Sequence, residues 1–399
     1  MVKPILKNEV ILKVDSYISN RVKGIYPSKI REVMDKTKFL KNQGIDVIDF
    51  SIGRPDFDTP KHIKEATKIA LDKGLVHYTA SAGTLDLREA IVYRLKEDFQ
   101  LMVDSDEIIV TAGATEANYI GTQAILNPGD EVLVPEPMYV YYSGWSFLGG
   151  ATMVNFPLDI IFKQPENLEK YITKKTKLII LTSPHNPTGQ VISRQSLEKI
   201  ADLSKKYNFL VISDDIYNKM IYENVKYTNI ANFEGMKERT LIIGSLSKTY
   251  AMDGWRVGYL IAPKPIIIQA LKMHQHMISC LNTFVQEGAK VALLSSQECV
   301  EAMVNEFNRR RKLMMSYLDD LKCPYNPPEG AFYLFPCIKK YGLSSKEFCD
   351  YMLDEARVAI VPGDAFGQLG EGYVRFAYTT SYENIEKGME KVKSALGKL

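Results

Sequence analysis

The stretch Ser245-Leu-Ser-Lys-Thr-Tyr-Ala-Met-Asp-Gly-Trp-Arg-Val-Gly258 brings an amine, two hydroxyls and a guanidinium within a dozen residues. It directly follows the apolar run Leu241-Ile-Ile-Gly244, which reads as a buried strand, so Lys248 leaves the end of a sheet in desolvated surroundings. Burial disfavours an ammonium and lowers its pKa, which frees the amine as a nucleophile. Ser245 and Ser247 supply hydroxyls beside it and Arg256 a planar cation, a set that suits a phosphate dianion. A nucleophilic amine next to a phosphate cradle is what the aldehyde cofactor pyridoxal 5'-phosphate requires of its host. An exposed loop lysine with hydroxyl neighbours would look the same from this segment alone, so the other strand ends decide.

Thr111-Ala-Gly-Ala-Thr-Glu-Ala117 follows the apolar run Glu107-Ile-Ile-Val110 and opens a helix. Its small residues let an anion approach the backbone, and the free N–H groups and dipole of the helix start stabilise it. Gly113, Ala114 and Thr115 are therefore the expected second half of the phosphate cradle. Ser183-Pro-His-Asn-Pro-Thr-Gly189 follows another apolar run, and its prolines hold Asn186 rigidly enough to present an amide to a ring hydroxyl or a carboxylate. His185 reads as a turn residue. Phe209-Leu-Val-Ile-Ser-Asp-Asp-Ile-Tyr217 ends a buried strand in two carboxylates. Asp214 is the one expected to meet a protonated ring nitrogen, with Tyr217 donating to the ring's phenolic oxygen; pairing with Lys or Arg is the structural alternative, open for Asp215. Tyr139 offers a face for stacking on a flat ring, or a core aromatic. Arg375, a charge inside the apolar Tyr-Val-Arg-Phe376, demands a buried anion such as a substrate carboxylate.

These residues need a scaffold of strand ends. Short runs of continuous rather than alternating apolarity, at 107–110, 131–134, 178–181, 209–212, 241–243 and 258–261, mark strands covered on both faces. Helical stretches between them predict an α/β fold with a mostly parallel sheet. Upstream, a helix is expected after Pro27-Ser28, with Ile30, Val33, Met34 and Phe39 at helical spacing, then a strand over Asp46–Ile52. Downstream, strands over Ala331–Phe335, Val358–Val361 and Tyr373–Ala377 alternate with helices and predict a smaller α+β unit built with the N-terminal segment. The expected division is 1–55 as arm and part of that smaller unit, 56–290 as the large domain, and 291–399 as the C-terminal remainder.

With 399 residues, 46% of them hydrophobic, the chain can bury a large core. A net charge of +2 implies no strong field toward nucleic acid or membrane. The densest basic run, Arg309-Arg-Arg-Lys312, reads as a solvated helix face. Five cysteines without paired spacing argue against a disulfide framework or a zinc site. No apolar stretch reaches spanning length and the first residues lack a signal-peptide core, so a cytoplasmic protein is expected.

In order along the chain, Gly53-x-Pro-Asp, Tyr78 with Ala82-Gly83 and Leu87-Arg88, Asn186-Pro-Thr-Gly, Asp214-x-x-Tyr217, Ser-x-Ser-Lys248, Gly254-Trp-Arg256-x-Gly and Arg375 resemble the fold-type I, class I/II aminotransferases of the aspartate aminotransferase superfamily. The resemblance implies that Lys248 forms the internal aldimine with pyridoxal 5'-phosphate and shuttles a proton, and that Asp214 pairs with the pyridinium. Asn186 and Tyr217 would hold the ring oxygen and Tyr139 stack on the ring. Ser245, Ser247, Arg256 and the backbone at Ala114 and Thr115 would bind phosphate, while Gly53 and Arg375 take the substrate carboxylate. It further implies a homodimer with shared sites, Tyr78 reaching the neighbouring subunit's phosphate, and an amino group moved between an α-amino acid and a 2-oxo acid. Thr115 stands where some aspartate-using relatives place a lysine, which weakens a dicarboxylate-specific reading. Arg54 would restore such a contact or sit at the entrance; Asp215 and Asp253 depart from the usual pattern without a functional account. A lyase or oxidase on the same scaffold is the alternative activity. A non-catalytic regulator would have lost the lysine or gained a DNA-binding domain, and neither is present in the sequence.

Overall fold

A computed structural model describes residues 17–25 and 27–399. The first residues, on which the expectation of no signal peptide rests, lie outside the described residues.

The six apolar runs all form strands: β2 (Ile108–Thr111), β3 (Glu131–Glu136), β5 (Thr176–Thr182), β6 (Leu210–Asp214), β7 (Thr240–Ser245) and β8 (Gly258–Ile261). With β4 (Thr152–Pro157) they build a seven-stranded sheet ordered β2-β8-β7-β6-β5-β3-β4. All pairs are parallel except those of β8, which runs antiparallel to both neighbours. Alternate residues go to opposite cores, as double coverage requires. Ile109, Leu241 and Ile243 pack with Ala117 and Ile120 of the helix Ala114–Ile125. Ile108, Val110 and Ile242 pack instead with Leu87, Ile91, Val285 and Ala289. The sequence reading missed β4, an edge strand with only Phe156 buried, because its mixed Thr-Met-Val-Asn-Phe-Pro shows no continuous apolar run.

A separate core joins the two ends of the chain. β1 (Ile48–Asp49) pairs in parallel with β10 (Val358–Ala359), and β11 (Val361–Pro362), β12 (Val374–Ala377) and β9 (Tyr333–Leu334) form an antiparallel sheet in that order. Phe50, Phe307, Phe332, Phe376 and Met389 pack between them and the helix Tyr382–Leu396. These strands are shorter than the stretches expected from sequence. The helix Lys29–Asn42 docks on this region through Lys29–Asp364 at 2.7 Å and Lys36–Asp350 at 3.0 Å. Phe39 is exposed.

The basic run corrects a second expectation. Arg310 and Arg311 are buried, at 6% and 5% exposure. Arg310 meets Asp56 at 2.7 Å and Glu306 at 2.9 Å, and Arg311 meets Glu223 at 2.9 Å. Only Arg309 and Lys312 face solvent, so the run spans two faces of the helix Glu298–Asp320 rather than one. All five cysteines are free. Among the described residues no helix is long and apolar enough to cross a membrane.

Candidate active site

The strand order brings the carboxyl ends of β2, β7, β6, β5 and β3 to one edge of the sheet, together with the amino end of antiparallel β8. This edge carries most of the residues singled out above. Lys248 lies in the one-turn helix Leu246–Thr249 directly after β7, and its Nζ donates to Gly53 O at 2.7 Å. Protein surrounds the amine on most sides, while a cavity of about 210 Å³ keeps it open to solvent. Burial, followed by the charges of Arg256, Arg375 and Arg54 and opposed by Asp253, lowers its pKa to about 8. Gly53, Tyr139, Asn186, Tyr217 and Arg375 line the same cavity.

Asp214 ends β6 at 2% exposure. Its Oδ2 accepts from Tyr142 Oη at 2.8 Å and from Asn118 Nδ2 at 3.1 Å, whereas Oδ1 is buried with no partner among the described residues. Burial raises its pKa to about 6, against the opposing hydrogen bonds from Tyr142 and Asn118. A carboxylate held on one oxygen and left bare on the other suits a cationic N–H donor. Asp215 points elsewhere, accepting from Ser213 Oγ at 2.7 Å and from Asn229. Among the described residues it pairs with neither Lys nor Arg.

Arg375, on β12, is also 2% exposed. Its Nη1 donates to Asn186 Oδ1 at 3.1 Å and its Nη2 to Ser51 O at 2.8 Å, leaving Nε buried and unpartnered. The guanidinium stacks 4.4 Å from the Tyr333 ring centroid. Tyr333 Oη lies 2.8 Å from Tyr217 Oη and closes on Gly53, where a Cβ would come within 2.3 Å of it. Glycine is thus required at 53 for close approach rather than for a turn.

The cradle residues gather at the β2, β7 and β8 ends. Gly113, at φ +80°, precedes the helix Ala114–Ile125, and a Cβ there would meet Arg256 Nη2 at 2.3 Å. Arg256 donates to Ala112 O at 3.2 Å and Asp253 O at 2.8 Å. Ser245 Oγ accepts from Ser247 N at 3.1 Å. Ala114 and Thr115 open the helix with no side-chain cap, and the first N–H groups of a helix have no intrahelical acceptor. Tyr78 is not part of this gathering: it is 88% exposed and lies outside the cavity lining. His185 is a buried turn residue held to Thr188 Oγ1 at 3.0 Å, its pKa pushed down to about 3 by burial.

The family profile described as "Aminotransferase class I and II" matches residues 45–392. This chain belongs to that family.

The aminotransferase is 44% identical over 385 residues to an aspartate aminotransferase of Pyrococcus abyssi, covering 95% of this chain and 98% of that one. It is 42% identical over 386 residues to aromatic-amino-acid aminotransferase 2 of Thermococcus litoralis, with 95% and 98% coverage. Among solved structures it superposes on the aspartate aminotransferase from Thermus thermophilus with maleate at a TM-score of 0.90 and 34% identity, covering 95% and 99% of the two chains. The expected fold is therefore the observed one, and transamination is favoured over the lyase or oxidase alternative.

Sequence reasoning missed three residues of the aminotransferase's site. Asn118 is one helical turn beyond Ala114, a polar residue on the inward face and therefore detectable by spacing. Tyr142 stood in the aromatic run that yielded Tyr139, but nothing in the run says which hydroxyl reaches a carboxylate. Tyr333 carried no local signal, since its role comes from contact with Gly53, Tyr217 and Arg375 on distant segments.

Proposed function

We propose that this aminotransferase holds pyridoxal 5'-phosphate at the strand-end site and moves an amino group between an α-amino acid and a 2-oxo acid. The observation that carries the reading is Asp214 Oδ1, a buried carboxylate oxygen without a partner among the described residues, at the end of β6 and two residues before Ile216, which lines the cavity that holds Lys248. The cofactor's phosphate would sit among Ser245, Ser247, Arg256 and the N–H groups at Gly113, Ala114 and Thr115. Its ring would lie between Asp214 and Tyr139, with Asn186 and Tyr217 at the ring oxygen. Bound there, the cofactor supplies an aldehyde for the amino group and a ring that withdraws the electrons left when the Cα–H bond breaks.

The chain's own residues do the rest. Asp214 Oδ1 would accept the ring nitrogen's N–H, its charge keeping that proton in place. Lys248 Nζ, its pKa lowered to about 8, would hold the cofactor at its aldehyde carbon and, when free, would take and return the substrate's Cα proton near neutral pH. Arg375 has hydrogens to spare at Nε and both Nη atoms and receives the substrate carboxylate beside Gly53. Ile30, Met34, Val140 and Tyr141 wall the cavity beyond, a surface for an aromatic or large aliphatic side chain. Arg31, also lining the cavity and exposed to solvent, is the cation available to a side-chain carboxylate. The exposed Tyr78 supports a homodimer with shared sites, Tyr78 completing the neighbour's phosphate site. A division into 1–55, 56–290 and 291–399, and a cytoplasmic location in keeping with free cysteines, belong to the same reading.

Borohydride reduction of the native protein followed by peptide mapping tests it. A pyridoxyl mass on Lys248 is the expected result; no label, or label on another lysine, overturns the reading.

A further inference from the structure

Behind the cradle lies a buried pair of ionisable groups with no part in the reaction. His274, in the helix Lys264–Ile278, is fully buried, and its Nδ1 lies 2.9 Å from Glu116 Oε1. Glu116 is 6% exposed, in the first turn of the helix Ala114–Ile125. Its other oxygen reaches back past the helix start and accepts from Ala112 N at 2.6 Å. Ala112 O accepts from Arg256 Nη2. The backbone just before Gly113 is thus gripped by a carboxylate at its N–H and by a guanidinium at its carbonyl. Gly113 itself is confined, because Gly258 packs against it so closely that a Cβ at 258 would come within 2.5 Å of Gly113 C.

Glu116 orients the loop at a cost, since a buried carboxylate next to a phosphate site repels the anion and loses its own hydration. A donor at Oε1 offsets both effects and removes the carboxylate's freedom to rotate away from Ala112. His274 is the side chain that supplies it, and its Nε2 touches nothing polar among the described residues, so Glu116 is its one polar partner.

We propose that His274 is a positioning residue for the cofactor's phosphate: through Glu116 it holds the Ala112–Gly113 backbone so that the N–H groups of Ala114 and Thr115, with Arg256, converge on one anion. The proposal rests on the cofactor reading above, and nothing in the sequence pattern links the two residues.

Titration of the cofactor-free protein with pyridoxal 5'-phosphate and, separately, with pyridoxal isolates the phosphate's share of binding. His274→Asn places an amide nitrogen near the Nδ1 position, whereas His274→Gln places it near Nε2, away from Glu116. The glutamine variant should weaken phosphate-cofactor binding on the order of ten-fold and leave pyridoxal binding unchanged, while the asparagine variant stays near the parent. Equal behaviour of the two variants, or equal loss of both ligands, overturns the proposal, the latter because it marks general damage. If neither variant folds, Glu116→Gln, which keeps an acceptor for Ala112 and donates its amide N–H to Nδ1 of His274 in the Nε2–H tautomer, replaces them. It should preserve the preference for the phosphorylated ligand, which Glu116→Ala should lose; equal preference in these two also overturns the proposal. Arg256→Gln serves as the control: if it leaves the phosphate preference intact, the cradle reading itself fails, whereas an effect there with silent His274 variants sinks only the present proposal.

Discussion

Asp214 and Arg375 present opposite charges to one site from two different sheets, and they are secured in different ways. Both are 2% exposed and both leave one polar atom unpartnered. Asp214 ends a strand with parallel neighbours on both sides, and its donors Asn118 and Tyr142 come from segments that follow two strands of the same sheet. Arg375 lies in a strand paired over only two residues on each side, and its acceptors are Ser51 and Asn186, each far away along the chain. The carboxylate is thus placed by regular structure, the guanidinium by the closing together of three separated segments. A change at Asp214 should alter the chemical step, and a change at Arg375 should alter substrate capture.

Lys248 lines the same cavity as Arg375, and its loss sets the largest effect. Lys248→Ala should lower kcat by ~10⁴-fold or more, because the attachment point and the proton-transfer group vanish together. Stopped-flow and steady-state assays check it; a variant within ten-fold of the parent would remove the lysine from the mechanism. Asp214→Asn should lower kcat about 10²- to 10³-fold with KM little changed, since a neutral amide no longer holds a proton on the ring nitrogen. The same substitution should stabilise the cofactor-free protein at neutral pH. Asp214 is raised from 3.8 to about 6, so the folded state binds this proton more tightly than the unfolded chain. The buried group therefore lowers stability as pH climbs from about 4 through 6 and above, by roughly 1–3 kcal/mol at pH 7.5. Thermal unfolding of parent and variant at pH 4 and 7.5 should show a gap only at the higher pH.

Arg375→Lys probes the other side and should raise KM for amino donors about 10- to 100-fold, with kcat less affected, because a single ammonium cannot fork onto a carboxylate. If instead Asp214→Asn raised KM and Arg375→Lys lowered kcat alone, the division of labour between the two sheets would be reversed.

The same contrast explains what the sequence disclosed. Asp214, Asn186 and Lys248 sit at the ends of continuous apolar runs, and such runs report strands because burial on both faces leaves no polar alternation. Arg375 was visible as a charge in an apolar setting. Its surroundings were not, since Ser51, Asn186 and Tyr333 meet it only after the chain ends converge, and strands of two residues such as β1, β9, β10 and β11 carry too little pattern to be bounded. Burial of Arg310 and Arg311 escaped for a like reason: their acceptors Asp56 and Glu223 lie on other segments.

The smallest predicted effect tests whether the acid's placement also sets its charge. Tyr142 donates to Asp214 Oδ2 and so favours the ionised form, as Asn118 does from the other side. Tyr142→Phe removes one of these donors and keeps the ring's packing against Tyr139 and Trp145. The Asp214 pKa should then rise above about 6, so fewer carboxylates are ionised in mildly acidic solution and the attraction for a ring cation weakens there first. Cofactor affinity should fall several-fold, of order 3- to 10-fold at pH 6, and change little at pH 8. A uniform loss at both pH values would mean that the hydroxyl acts on the shape of the floor rather than on its charge, whereas no change at either would leave Asn118 as the donor that governs the acid.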